Sequence, residues 1–341
     1  MSQEVIRRAT IKDLEIIQDF IETEWLKGHI LSTSKLIFDW QYFDKQNSVY
    51  NFFLAFVNKK LTGILGYTSN KQYDPTLCDS VNWLSMWKIS RDAMAGQGLR
   101  LLTTIESQTF NQPIGTIGLK PNTKFLYEKM GFHTGELRHY FVPASNSPVN
   151  QVILFNFQDS TVREKTDDKT YIDSIETDLE SVIKSLISEF VQALPRGKSV
   201  FFYLNRYLHC PFYLYKFSAL YDHNYKKIGF MVYRIIEHPD YRILRILEIV
   251  STKSFINLYD SIAELNNTLK IQYADYYEDN SEQSQQAKFD LAIVKDTTQL
   301  PNLFEPLVKE KKKFLYAVKN TMGANYVLTR GDCDQDRPNK I

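Results

Sequence analysis

The sequence predicts a two-domain α/β (α+β) protein: an N-terminal domain on a mixed central sheet, then a second α/β domain that repeats its succession of elements. Three observations lead there. The 341 residues amount to about two domains at roughly 150 residues each. Short apolar runs of strand character alternate with helical periodicity along the chain. The stretch Pro143-Ala144-Ser145-Asn146-Ser147-Pro148 is small, polar and bounded by prolines, as a linker is. It divides the chain into residues 1–145 and 146–341.

Val5 to Ala9 reads as a strand, and Thr10 caps a helix carrying Leu14, Ile17 and Ile21, with Asp13 at the third position as a partial capping box. Ser32 to Ser34 cap a second helix, Lys35 to Tyr42. Strands Tyr50 to Val57 and Leu61 to Thr68 flank Asn58-Lys59-Lys60 at hairpin spacing. A polar connection, Ser69 to Ser80, leads into a strand from Val81 to Ile89. Helix Gly96 to Gln108, strand Pro113 to Leu119 and helix Pro121 to Met130 follow, with strands after Phe132. Beyond the linker come a helix over Ile175 to Phe190, strands Phe212 to Leu220, Lys227 to Ile236 and Arg242 to Val250, a helix Phe255 to Leu269, and strands Ile271 to Tyr277 and Phe314 to Val318. Hairpin, strand, helix, strand is the order of the first half again. A diverged internal duplication and an unrelated α/β domain of similar size both account for it.

With 41 basic and 40 acidic residues, net charge is +1, and no clustered basic face supports nucleic-acid or membrane-surface binding. The one basic run, Lys309 to Lys313, has the length of a solvated helix end. The longest apolar run, Phe52 to Val57, is far short of the roughly 18 residues a span needs. The first residues lack the apolar stretch of a signal peptide, so a cytoplasmic protein is expected. Cys78, Cys210 and Cys333 form no CxxC pair and no metal-like spacing; they read as ordinary thiols, and no metal is expected.

Glycines are scarce, 13 in all, and two of them fall where a strand ends and a helix begins, in Trp87-Lys88-Ile89-Ser90-Arg91-Asp92-Ala93-Met94-Ala95-Gly96-Gln97-Gly98-Leu99. The first amides of a helix lack intrahelical partners and carry the positive end of its dipole, which makes such a turn an anion site. It lacks the third glycine of a dinucleotide fingerprint and the GK[ST] of a P-loop. A tight turn without ligand is the plain alternative. About thirty residues on, Leu126-Tyr127-Glu128-Lys129-Met130-Gly131-Phe132 ends a helix at a glycine and opens a strand.

Together the two segments resemble the acyl-CoA-binding motifs of the GNAT superfamily of N-acyltransferases. Gly96 and Gly98 stand on the glycines of (Q/R)xxGx(G/A), with Ala93 where Gln or Arg is usual, and Leu126, Tyr127, Gly131 and Phe132 match LYxxxGF. The resemblance covers roughly residues 4 to 142 and implies a GNAT fold there, with acyl-CoA as co-substrate. Trp87, Lys88 and Ile89 would then offer backbone groups to the pantetheine arm. Amides of Met94, Ala95, Gly96, Gln97, Gly98 and Leu99 would hold the pyrophosphate. Tyr127 would protonate the departing thiolate. Lys120 stands where Asn is frequent.

Attack by an amine also needs a proton acceptor. His29, in Lys27-Gly28-His29-Ile30-Leu31, has the intrinsic pKa for it. Glu24, Asp39 and Trp40 neighbour it in the first helices and His139 lies on a late strand; these are candidate substrate contacts, with core or surface packing as the alternative for each. The GHIL and FDWQY segments and the second α/β half resemble the two-domain N-acyltransferases of surface-polysaccharide synthesis. That resemblance implies transfer of a 3-hydroxybutanoyl or acetyl group to the amine of a dTDP-linked amino-deoxy sugar for O-antigen (lipopolysaccharide) or capsule, with Arg206, Tyr207 and His209 helping to hold the nucleotide. Its partners would be small molecules only. A GNAT acting on a protein or peptide amine and a non-catalytic acyl-CoA-binding protein are the other readings. Ser251-Thr252-Lys253-Ser254 replaces the glycine loop in the second half, so one acyl-CoA site per chain is expected.

Overall fold

The computed structural model describes residues 3–109, 112–144, 169–175, 178–238, 241–279, 288–293, 313–320 and 326–338. Most of the expected linker and of the 309–313 basic run lies outside them. The described chain divides into two compact units: residues 1–134, 316–322 and 333–341 form the first, and residues 135–315 and 323–332 the second. The first break between the units falls between Thr134 and Gly135. The first unit thus takes in residues 316–322 and 333–341 from late in the sequence.

In the first unit β1 (Glu4–Arg8) leads through a 3-10 turn, Ile11–Asp13, into α1 (Leu14–Phe20). Thr10 and Asp13 form the capping box, and Arg7 holds Asp13 through paired bonds of 2.8 and 2.6 Å. The helix widens into a π-turn, Ile21–Trp25, and a single turn at Ile30–Thr33 precedes α2 (Lys35–Tyr42), whose N-cap is Ser34. Then come β2 (Phe52–Val57), β3 (Lys60–Ser69), β4 (Asn82–Ile89), α3 (Gln97–Gln108), β5 (Ile114–Ile117) and α4 (Pro121–Lys129). Strands β1 to β4 pair antiparallel in sequence order, and β4 and β5 pair parallel across the crossover helix α3. Leu101, Leu102 and Ile105 line the inner face of α3 and pack on Phe53, Leu65 and Leu84 of the sheet, which fixes the helix over the strands.

In the second unit β6 (His133–Pro143) carries residues 135–143, followed by β7 (Tyr171–Ile175), α5 (Glu180–Glu189), β8 (Tyr215–Tyr221), β9 (Lys227–His238), β10 (Tyr241–Ser251), α6 (Tyr259–Thr268) and β11 (Tyr273–Asp279). Here β7 to β10 pair antiparallel in order, and β10 and β11 pair parallel across α6. In each unit an antiparallel strand follows the parallel pair: β6 along β11, and β12 (Phe314–Lys319) along β5. The topology of one unit thus repeats in the other.

Two expected helices are shorter than their apolar patterns. Tyr171–Ile175, counted in part with the helix over Ile175 to Phe190, is a strand whose partner is β8. Phe255–Ile256 at the start of the expected second helix pairs with Lys288–Phe289. In both places a tertiary partner overrides local periodicity. Among the described residues no helix is long and apolar enough to cross a membrane, and no group of three or more His, Cys, Asp or Glu side chains could hold a metal ion.

Candidate active site

The first unit concentrates its distinctive backbone where β4 leaves β5. Their parallel pairing ends at Trp83↔Gly115, while β4 runs on to Ile89. Opposite Gly66 the strand carries one extra residue, since Leu65 pairs with Trp87 and Tyr67 with Leu84. Such a bulge leaves backbone groups without ladder partners, and here it lies at Ser85–Met86, at the mouth of the splay.

Beyond β4 the chain turns through Ser90 to Gly96. The turn is fixed from several sides: Ser90 N donates to Thr62 O at 2.8 Å, Gln97 N to Met94 O at 3.0 Å, and the Gln97 side chain to Glu4 at 2.8 Å. Glu4 also takes Arg100 Nε at 2.6 Å. Gly96 is the N-cap of α3 at φ +74°, a left-handed conformation that strains any other residue. No side chain caps the helix, so the Gly98 and Leu99 amides of its first turn are available to a ligand. The Gln97 amide, by contrast, is committed to Met94. Gly98 lets the helix approach β4 closely: a Cβ there would stand 3.3 Å from Ile89 and 3.5 Å from the Trp87 indole. Trp87 Nε1 is buried without a hydrogen-bond partner. Lys88 and Ile89 complete the strand against Ile64 and Gly63.

Tyr127 is buried on α4, edge-on to Trp87 with ring centroids 6.0 Å apart and to Phe132 at 5.1 Å. Burial, with the Cys333 thiol a lesser contributor, raises its pKa. The phenol therefore stays protonated and is a stronger keeper of its proton than a free tyrosine, which suits hydrogen-bond donation to a thiolate. The helix ends at Gly131, φ +80°.

No family model matches the sequence, and no curated protein does. By structure the chain is similar to a GCN5-related N-acetyltransferase from Anabaena variabilis, with 13% identity and a TM-score of 0.54 over 93% of this chain and 72% of that one. It is also similar to a probable N-acyltransferase from Enterococcus faecalis, at 9% identity and TM-score 0.51, over 93% and 72% of the two chains. A third similar structure is the GCN5-related glucosamine N-acetyltransferase region of a fungal multi-domain β-N-acetylglucosaminidase, at 8% identity and TM-score 0.51, over 94% of this chain and 38% of that one. The fold is that of the GCN5-related N-acetyltransferases.

Within this GNAT fold the remaining predicted residues separate. His29 is the N-cap of the Ile30–Thr33 turn, its Nδ1 accepting the Leu31 amide at 3.1 Å. That bond uses the Nδ1 lone pair and leaves the neutral ring's proton on Nε2, so Nε2 is a donor and cannot take a proton. Burial lowers its pKa, with Asp334 opposing. The base expected at His29 is thus a donor in the structure. Asp39 accepts Tyr50 Oη at 2.7 Å and pairs with Lys35. Trp40 is half-buried beneath the Arg337 guanidinium, 5.6 Å from its ring. Glu24 lies in the π-turn, partly exposed; its neighbour Glu22 staples the loop instead, accepting Gly28 N at 2.8 Å and Ser32 Oγ at 2.7 Å.

The nucleotide contacts expected in the second unit are corrected by burial. Arg206 and Tyr207 are both 0% exposed; Tyr207 Oη donates to Glu248 at 2.9 Å and Arg206 lies over the Tyr207 ring at 4.9 Å. These side chains serve the interior. His209 is exposed, but Asn205 and Glu180 engage its ring nitrogens at 3.1 and 3.0 Å. His139 stacks on Tyr277 at 3.9 Å with Nε2 out of solvent contact and unpartnered. Burial takes its pKa down to about 3, so the ring is neutral.

At the start of α6, the second unit's counterpart of α3, the anion position is occupied by protein. Asp290 Oδ1 accepts the Leu258 and Tyr259 amides at 2.7 and 3.0 Å. A carboxylate there satisfies the amides a phosphate would need.

Sequence reasoning missed a further group at the splay of the first unit. Cys333 is 1% exposed, its Sγ 3.3 Å from Leu84 O and in reach of the Ile117 amide. It is not an ordinary surface thiol. Gln335 Nε2 donates to Ile117 O at 2.8 Å, and Tyr42 Oη meets Ser85 Oγ at 3.0 Å.

Proposed function

We propose that the protein is an N-acyltransferase that moves an acyl group from acyl-CoA to a primary amine at the splay between β4 and β5. The observation carrying this reading is the conjunction, in one unit, of an uncapped helix N-terminus behind Gly96, a bulged strand end and a buried tyrosine at the same splay. The Gly98 and Leu99 amides would hold the CoA pyrophosphate, and Trp87 Nε1 has a donor to offer nearby. The bulge at Ser85–Met86 would supply an amide to the tetrahedral oxyanion. Tyr127 would stabilise the thiolate as the carbon–sulfur bond breaks. Asp290 blocking the matching position of the second unit supports one acyl-CoA site per chain.

For the acceptor, the sequence resemblance favours the amine of a dTDP-linked amino sugar such as dTDP-3-amino-3,6-dideoxygalactose, with 3-hydroxybutanoyl or acetyl as the transferred group and a role in O-antigen or capsule synthesis in the cytoplasm. One of the similar structures is named for glucosamine N-acetylation, an amino-sugar chemistry of the same kind. Arg206 and Tyr207, both buried, present no exposed side chain to the nucleotide. The deciding assay follows thiol release from acetyl-CoA and 3-hydroxybutanoyl-CoA with a panel of dTDP-amino sugars and with a lysine peptide. Turnover with sugar nucleotides alone is expected. Turnover with the peptide alone makes the acceptor a protein amine, and CoA binding without turnover makes the chain a binding protein.

A further inference from the structure

The segment after Asp332 supplies the first unit with a group that no sequence motif announced. Residues 333–338 pass through the splay and are held on both sides: Cys333 Sγ faces Leu84 O of β4, and Gln335 Nε2 bonds Ile117 O of β5. Arg337 clamps the loop by donating to Cys333 O at 2.7 Å and to Tyr73 Oη at 2.6 Å, and Gln41 Nε2 reaches Pro338 O at 3.3 Å. Gly118, at φ +89°, leaves room for Gln335, whose Nε2 would lie 3.0 Å from a Cβ there. Every residue from Cys333 to Pro338 is buried except Asp334, which keeps part of its surface open. Its Oδ1 accepts the second Gln335 Nε2 hydrogen at 2.8 Å and lies 3.3 Å from Cys333 Sγ.

An acyl transfer to an alkyl amine must remove two protons from the ammonium, and the first must leave before attack. The other candidates are unsuited as acceptors: Tyr127 is protonated from the start, His29 presents a donor, and Asp39 is occupied by Tyr50 and Lys35. We infer, resting on the acyl-transfer reading, that Asp334 is the general base that deprotonates the acceptor ammonium. Its carboxylate takes one N–H proton, and the freed lone pair forms the C–N bond. The C–S pair leaves on sulfur, which is protonated through Tyr127, and the second nitrogen proton restores the phenol. One proton passes from Asp334 to water. The groups facing Asp334 are His29 from the loop after α1, Tyr42 of α2, Cys333, Gln335 and Arg337. Burial raises its pKa, with Cys333, Arg337 and Gln335 opposing, and a more basic carboxylate is the better acceptor.

The test compares full-length wild type, D334N and D334E. CoA binding is measured by calorimetry and thiol release from acetyl-CoA across pH, with dTDP-3-amino-3,6-dideoxygalactose, a lysine peptide and an aromatic amine that is uncharged at neutral pH. D334N should bind CoA as wild type does, lose about 100-fold or more in kcat with the alkyl acceptor wild type uses, lose the acid limb of that profile, and lose little with the aromatic amine. D334E should recover part of the rate with a shifted acid limb, which keeps the assignment testable should D334N fail to fold. Wild-type turnover matched by D334N overturns the assignment alone. Wild type that neither binds CoA nor turns over removes the acyl-transfer reading and this assignment with it.

Discussion

The thiol of Cys333 lies 3.3 Å from the carbonyl oxygen of Leu84, 249 residues away in sequence, in the gap where β4 departs from its parallel neighbour. One S–H serves that carbonyl and the Asp334 carboxylate, so the cysteine marks how firmly the 333–338 segment is seated.

Thiol reactivity should report this seating. Cys78 is exposed and Cys210 intermediate, whereas Cys333 is buried with its pKa raised well above the ordinary thiol value, by burial and then by Asp334. Since only the thiolate reacts, maleimide at neutral pH should modify Cys78 within minutes and spare Cys333 until denaturant is added. Peptide mapping of the alkylated sites reads the order, and early labelling of Cys333 would mean that the segment leaves the splay readily.

Tyr127 supplies a second prediction. Replacing it with Phe removes one hydroxyl from a ring whose packing against Trp87 and Phe132 is unchanged. Fold and CoA affinity should persist while kcat falls by about 10²-fold, the scale of a lost acid or donor. An undiminished kcat would assign the ring to packing alone.

At the turn, Gly96→Ala forces a Cβ into the left-handed region and toward Arg100 Nη1, 3.1 Å away. The conformational cost is about 1 kcal/mol, and the larger effect should fall on ligand binding, because the Gly98 and Leu99 amides are aimed by this cap. Calorimetry should show CoA affinity reduced at least tenfold alongside a small drop in the urea midpoint. Equal affinity would place the pyrophosphate elsewhere.

What could be read from the sequence was what is local. Ser34 before Leu36 and Ile37 fixed a helix whose observed bounds, Lys35–Tyr42, are those expected, and the glycine turn and Tyr127 were recognisable because their chemistry lies within a few residues. The sequence names no strand at Tyr171–Ile175, and Ile175 is read into the following helix, because the strand depends on β8, some 45 residues on. Arg206 and Tyr207 were expected at the nucleotide because the resemblance to two-domain N-acyltransferases implied it; their inward packing depends on Glu248, 41 residues from Tyr207, and on Tyr215 of β8. Cys333 and Asp334 had no signal at all, since a single cysteine beside acidic residues gains its meaning from Leu84 and Ile117.

The same distant packing builds a buried ion cluster in the second unit. Lys198 Nζ lies 2.7 Å from Glu248 and 3.1 Å from Asp332, with all three side chains nearly inaccessible. Lys198→Met would leave two carboxylates facing each other without a counter-charge, a loss of about 3–5 kcal/mol, readable as a lowered urea midpoint. A loss below about 1 kcal/mol would show that water or a proton compensates the pair.

Glu278 on β11 gives the fold a pH dependence of definite sign. Burial raises its pKa to about 8, with Asp279 and Glu248 adding to the rise and Tyr276 and Arg138 opposing it; Oε2 has no hydrogen-bond partner. An unfolded glutamate ionises near 4.5, so between these values the native state binds the extra proton. Its contribution to stability is complete below about pH 4.5 and is lost as pH rises through 8, a change of the order of a few kcal/mol. Glu278→Gln removes this titration while keeping the shape. Urea midpoints at pH 5, 7 and 9 should therefore fall with pH in the wild type and stay flatter in the variant, which should be the more stable of the two at pH 9. Parallel pH profiles would mean that Glu278 is ionised in the native protein and that water or a cation reaches it.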